Sequence, residues 1–327
     1  MGRLRLAPTA GNSSCGGTLA RAELVRYDVK ARQFLPYLSG ISASDLDISR
    51  DGQWVTYVTY PELTLWRSKV DGSERMQLAF PPVESFLPRW SPDGTQIVFT
   101  DLQPGKTAKI YMVSRDGGGA PWEVVPEDNL TEIDPTWSPD GSSIVFGRSH
   151  QDLTLALYRV EVKMHQISKI PGSEGLTSPR VSPDGRYLAA LSQDWMKLML
   201  YEFKTGQWME LGVVTRGAFG YLNWSHDGKY VYVEDFSSGL DIVRVSIAHH
   251  EFEHIVDVKD LPQPSPTWMG LATDDSPPRS KRSLTEGSSE AVCHPIRSSA
   301  SSELPKTSSR MIRSVASFKY SSNTFSI

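Results

Sequence analysis

The sequence predicts an all-β repeat fold, a six-bladed β-propeller with an incomplete closing blade, on three observations. A turn of the Ser-Pro-Asp-Gly type recurs five times at the spacing of one propeller blade. A short apolar, β-rich run follows every copy. The repeating region shows no helical period.

The turn units come first. Trp90-Ser91-Pro92-Asp93-Gly94 and Trp137-Ser138-Pro139-Asp140-Gly141 are the clearest copies. Looser ones are Ile48-Ser49-Arg50-Asp51-Gly52, Val181-Ser182-Pro183-Asp184-Gly185 and Trp224-Ser225-His226-Asp227-Gly228. Their aspartates at 51, 93, 140, 184 and 227 stand 42, 47, 44 and 43 residues apart. Proline suits the second position of a type I turn because its φ is already fixed there, and glycine suits the fourth. The serine and aspartate side chains can bond the turn's own amides.

The strands follow from the runs between turns. After each turn come Trp54–Val58, Ile97–Phe99, Ile144–Phe146, Tyr187–Leu191 and Tyr230–Val233, and then a second run such as Ile110–Val113 or Ile242–Val245. Asp71-Gly72 and Asp116-Gly117 mark the tight turn before a fourth strand. Trp90, Trp137 and Trp224 hold one fixed place in their repeats, which favours packing between neighbouring sheets over an aromatic binding ring.

Both ends supply pieces of a sixth blade. Leu24–Tyr27 and Phe34–Leu38 read as its two outer strands, and Leu271–Asp275 falls where another turn unit is due. Building one blade from both termini removes exposed sheet edges. After Asp275 the expected apolar strand gives way to Ser276-Pro277-Pro278-Arg279-Ser280-Lys281-Arg282. Residues 276–327 contain 16 serines, with 8 Lys and Arg against 3 Asp and Glu. Such serine-rich basic sequence predicts disorder, whether as an arm for acidic partners or as out-of-frame translation. The expected domains are thus a disordered segment over 1–20, the propeller over 21–275 and the tail over 276–327.

Composition narrows the function classes. With 39% hydrophobic and 22% charged residues the chain is ordinary for a globular protein, and its net charge of −4 predicts no nucleic-acid binding by the propeller. The apolar runs are strand-sized, so no membrane span is expected. Residues 1–20 lack the apolar core of a signal peptide, which as written implies a cytoplasmic chain, or a periplasmic or membrane-tethered one if the start is truncated. Cys15 and Cys293 allow one disulfide at most.

Three motifs invite chemistry and carry little. His250-Glu251-Phe252-Glu253-His254 fits a zinc-protease pattern that requires a helix, yet repeat register puts it in an outer hairpin, where residues four apart stand about 13 Å from each other. No G-x-S-x-G elbow occurs; Gly147–Gln151 fails at its last position. Gly117-Gly118-Gly119 lies in a strand-to-strand turn, with no lysine or helix after it to hold phosphate. The expected catalytic, cofactor and metal residues are accordingly none, and no cofactor is expected.

The Trp-Ser-Pro-Asp-Gly-x-x-Ile-x-Phe unit, with its Ile-Tyr strand and Asp-Gly turn, resembles the WD40-like (PD40) repeats of TolB-type propellers. The similarity runs from Leu24 to Asp275. It implies a non-enzymatic, monomeric protein-interaction or sensor module with a protein or peptide partner. Arg21–Tyr27 and Leu65–Gly72 look most like the C-terminal propellers of bacterial regulator or kinase chains, which implies a fragment of a larger regulator. The alternative is a propeller hydrolase or lyase with its active site in the central channel. Acidic and basic groups on the innermost strands would favour that alternative; the Val, Ile, Tyr and Phe residues after each turn weigh against it.

Overall fold

The computed structural model describes residues 21–28, 31–125, 129–149, 154–257, 271–274, 290–293 and 296–297. The expected N-terminal segment 1–20, with Cys15, and most of the tail lie outside these residues. The described secondary structure is all β-strand. Strands β1 (Arg21–Ala22), β2 (Val25–Asp28) and β3 (Gln33–Pro36) precede the repeats.

Five antiparallel blades follow, each made of four consecutive strands. Blade one is β4 (Ala43–Ile48), β5 (Trp54–Thr59), β6 (Leu65–Lys69) and β7 (Met76–Gln77). Blade two is β8 (Ser85–Trp90), β9 (Gln96–Asp101), β10 (Lys109–Ser114) and β11 (Trp122–Glu123). Blade three is β12 (Glu132–Trp137), β13 (Ser143–Ser149), β14 (Leu155–Glu161) and β15 (Ile167–Lys169). Blade four is β16 (Leu176–Val181), β17 (Tyr187–Ser192), β18 (Lys197–Glu202) and β19 (Gln207–Val213). Blade five is β20 (Phe219–Trp224), β21 (Tyr230–Asp235), β22 (Asp241–Ser246) and β23 (Phe252–Asp257).

The expected turns form as the sequence reads. Gly94 N–H donates to Ser91 O at 2.9 Å, closing the four-residue turn, and Gly94 has φ 67°. Ser91 Oγ donates to Asp93 Oδ1 at 2.6 Å and accepts from Gln96 N–H at 2.9 Å. Ser49, Ser138, Ser182 and Ser225 repeat the bond to their own aspartates, at 2.6 to 2.8 Å. Strands β5, β9, β13, β17 and β21 are the apolar runs after these turns and carry the core, including fully buried Tyr57, Phe99, Phe146, Leu188 and Val231. Each such side chain contributes about 1.5–3 kcal/mol of burial. Trp90, Trp137 and Trp224 are buried in three of the core clusters.

One sheet joins the two ends of the chain. Its order is β24 (Leu271–Asp274), β25 (Glu290–Cys293), β2, β3. β2 and β3 are its outer pair, as their sequences suggest. The strand expected directly after Asp275 comes instead from within the serine-rich tail, where Ala291-Val292-Cys293 is a short apolar run. Leu271 pairs with Cys293, and Cys293 with Val25. A further short strand, β26 (Ile296–Arg297), pairs with β1.

Candidate functional site: the axial channel

The strand that opens each blade is the one that faces the propeller axis. β4, β8, β12, β16 and β20 pack against one another in sequence, and β24 packs against both β4 and β20. The axis is therefore lined by residues before the turns. The Val, Ile, Tyr and Phe residues after them, which weighed against polar chemistry in the channel, form the second strand of each blade and the core.

These innermost strands share one irregularity. Register with the second strand shifts between Ser44 and Asp47, Phe86 and Arg89, Ile133 and Thr136, Thr177 and Arg180, and Phe219 and Leu222. Asp45, Leu87, Asp134 and Ser178 sit at the bulge with φ of 49–54°. A bulge of this kind re-aims a side chain. Pro88, Pro135 and Pro179 follow it directly, and an edge strand tolerates them because its free side needs no ladder donor.

Two tiers of polar residues result. Nearer the turns, Asp47, Arg89, Thr136, Arg180 and Asn223, one from each blade, line a single cavity of about 210 Å³ together with Trp90, Trp137 and Trp224. One step deeper, at or beside the bulges, are Asp45, Asp134 and Tyr221. All three are buried.

Electrostatics tie the tiers together. Arg180, 2% exposed, places Nη2 2.8 Å from Asp134 Oδ1 in the preceding blade. Burial lowers the pKa of Arg180, and the field of Arg89 lowers it further, while Asp134 opposes both. Asp47 keeps some accessible surface, but its carboxylate is shielded. Desolvation raises its pKa against the fields of Arg89 and Arg180 and the Trp90 N–H, which donates to Oδ2 at 2.8 Å. Tyr221 is pushed well above the usual tyrosine value by burial and then by Asp45, Asp134 and Glu234. Glu234 Oε2 accepts the Tyr221 N–H at 3.1 Å.

Sequence reasoning named no site residue, and the channel set was missed. The available signal was the residue two positions before the turn serine: Asp47, Arg89, Thr136, Arg180 and Asn223 are all polar inside otherwise apolar repeats.

The motifs singled out in the sequence lie elsewhere. His250 is in the β22–β23 turn, with its N–H donating to Ser246 O at 2.8 Å, and His254 is in β23, so the segment is the outer hairpin that register predicts. Asp241, His254 and Asp257 bring one ligand atom each within 4.8 Å of one another on this hairpin. His254 Nε2 lies 2.9 Å from Asp257 Oδ1. Gly117 and Gly118 have φ of 73° and 91° in the β10–β11 turn.

A ring of four-stranded blades around a channel lined by its innermost strands defines a β-propeller. The family model described as the TolB beta propeller domain matches residues 41–268, and the chain belongs to that family. No curated protein matches. Among solved structures, a TolB from Agrobacterium tumefaciens is 16% identical over 72% of this chain and 89% of its own, with a TM-score of 0.62. TolB from Acinetobacter baumannii is 19% identical over 71% of this chain and 64% of its own, with a TM-score of 0.55. An oligogalacturonate lyase in complex with manganese is 13% identical over 78% of this chain and 77% of its own, with a TM-score of 0.52. At these identities the likeness is one of fold. No helix among the described residues is long and apolar enough to cross a membrane.

Proposed function

We propose that the chain is a non-enzymatic binding module that takes a protein or peptide ligand at the turn-side mouth of the channel. The observation that carries this reading is the convergence of Asp47, Arg89, Thr136, Arg180 and Asn223, from five different blades, on one cavity. A few fixed polar groups among apolar and aromatic walls suit recognition. Asp47 at the mouth is engaged by the Trp90 N–H, and Asp134 one step deeper by Arg180, which leaves both poorly placed as a general acid and base. The module works as a monomer. The β24-β25-β2-β3 sheet serves as the sixth blade, closing the ring between blades five and one.

The test compares capture by immobilised full-length protein with capture by its Thr136→Val and Asn223→Ala variants. The reading expects both variants to lose captured partner while staying folded, as a cooperative melting curve verifies. Equal capture by all three proteins removes the channel mouth from the reading.

A second reading, a hydrolase or lyase acting in the channel, draws on Tyr221 among Asp45, Asp134 and Glu234. The raised pKa keeps Tyr221 protonated, so it would act as an acid. Turnover of oligosaccharide or peptide substrates that vanishes in Tyr221→Phe would favour this reading over binding alone.

A further inference from the structure

We propose that Arg89 and Arg180 form a carboxylate site in the channel mouth, and that the group it receives is the C-terminal carboxylate of a protein or peptide ligand. The proposal rests on the binding reading above and names the ligand end that enters first.

Three features of the two arginines point to an anion. Each is anchored in the same way, through Nη1 to the carbonyl of its own preceding proline: Arg89 to Pro88 O at 2.9 Å and Arg180 to Pro179 O at 2.6 Å. This fixes each guanidinium on its bulged strand. Each also buries its Nε–H with no protein acceptor among the described residues. A buried guanidinium donor is costly to leave unmatched, and a carboxylate oxygen is the acceptor that matches it best. Finally, the two cations are close enough that Arg89 depresses the pKa of Arg180, a repulsion that an anion between them relieves.

The surrounding charge agrees. The cavity lining holds Arg50, Arg89 and Arg180 against the carboxylate of Asp47, and Asp134, one step deeper, pairs with Arg180. Arg50 extends from the turn of blade one to the turn of blade three, where Nη1 donates to Pro139 O at 3.3 Å. Thr136 and Asn223 add neutral hydrogen-bonding groups on the same wall. Asp47 disfavours a doubly charged phosphate more than a singly charged carboxylate.

Size selects the chain end. The cavity of about 210 Å³ is smaller than the roughly 300–1,000 Å³ usual for small-molecule pockets. A chain terminus can enter such a space end-on. An internal Asp or Glu has to bring main chain in from both sides, across the ring of Ser-Pro-Asp-Gly turns.

The experiment uses labelled full-length protein on two arrays of the same random heptapeptides, one attached through the N-terminus with free carboxylates, the other ending in C-terminal amides. Binding is expected on the free-carboxylate array alone, weaker by about tenfold or more with Arg89→Gln, the loss of a charge-assisted hydrogen bond. Arg89→Gln is the variant of choice because Arg180→Gln also strips Asp134 of its partner and can unfold the blade. Melting temperature verifies that Arg89→Gln is folded. Equal binding on both arrays, or binding that Arg89→Gln leaves intact, overturns the carboxylate site while keeping a binding module. Binding that follows internal Asp or Glu on the amide array overturns the chain-end assignment. Absence of binding on both arrays overturns the carboxylate site and the binding reading together.

Discussion

Trp224 donates its indole N–H to the backbone carbonyl of Arg180, 2.8 Å away and 44 residues earlier in the chain. The same bond joins Trp137 to Arg89 at 3.3 Å and Trp90 to Asp47 at 3.2 Å. The tryptophan of one blade thus fixes the main chain of the channel residue in the blade before it. A repeat residue that looks like simple packing also sets the channel geometry.

Replacing Trp224 with Phe keeps most of the ring and removes the donor. The buried Arg180 carbonyl then loses this partner, so the variant should unfold with about 1–2 kcal/mol less stability in urea. Trp137→Phe, with the longer bond, should lose less. Equal losses would mean that packing volume, rather than the indole bond, holds the interface.

Asp134→Asn should be more damaging than its surface suggests. It leaves Arg180 buried, charged and next to Arg89 with its ion-pair acceptor neutralised, a cost on the order of 3 kcal/mol. Asp134→Asn combined with Arg180→Met removes both charges, keeps a side chain that suits the left-handed φ of 54° at residue 134, and should recover much of that loss. Chemical denaturation of the three proteins provides the check. A double variant no more stable than Asp134→Asn would show that the pair is needed for more than mutual neutralisation.

Glu132 gives the fold a pH dependence with a definite sign. It is fully buried beside Lys109, with Nζ 3.2 Å from Oε1, yet desolvation outweighs that attraction and raises its pKa from 4.5 to about 7. Below pH 4.5 the group is protonated in both folded and unfolded states and costs nothing. Between 4.5 and about 7 only the unfolded state ionises, so stability falls as pH rises, and the loss levels off above 7. The full shift corresponds to a loss on the order of 3 kcal/mol. Melting temperatures across pH 4.5–7 should fall less steeply in Glu132→Gln than in the parent protein.

The turns and core strands were legible because their signals are local. Ser91-Pro92-Asp93-Gly94 encodes its own hydrogen bonds, and Ile97-Val98-Phe99 has no polar alternative to burial. The innermost strands were not. Ser85–Trp90 and Glu132–Trp137 carry a proline, at least one charge and a bulge each, so neither strict alternation nor an apolar run marks them. They are strands because they form the free inner edge of a sheet, a tertiary circumstance that tolerates proline and supplies cross-blade partners for charge. The channel site was hidden with them. Glu290–Cys293 was obscured differently, since four residues inside a serine-rich segment become a strand only when β24 and β2 flank them.

That last pairing is open to a direct test. Val292 pairs with Ala272 on one side and Arg26 on the other, so it occupies a central strand. Proline there removes a ladder donor and forces its own φ, which a central strand does not tolerate. Val292→Pro in the full chain should therefore lower the melting temperature by several degrees. Val292→Ala, which keeps the ladder N–H, should lower it less. If both variants melt with the parent protein, β25 does not contribute to the folded state, and the two outer strands β2 and β3 must be held by their contacts with blade five, where Tyr27 and Phe34 share a cluster with Ile242 and Val256.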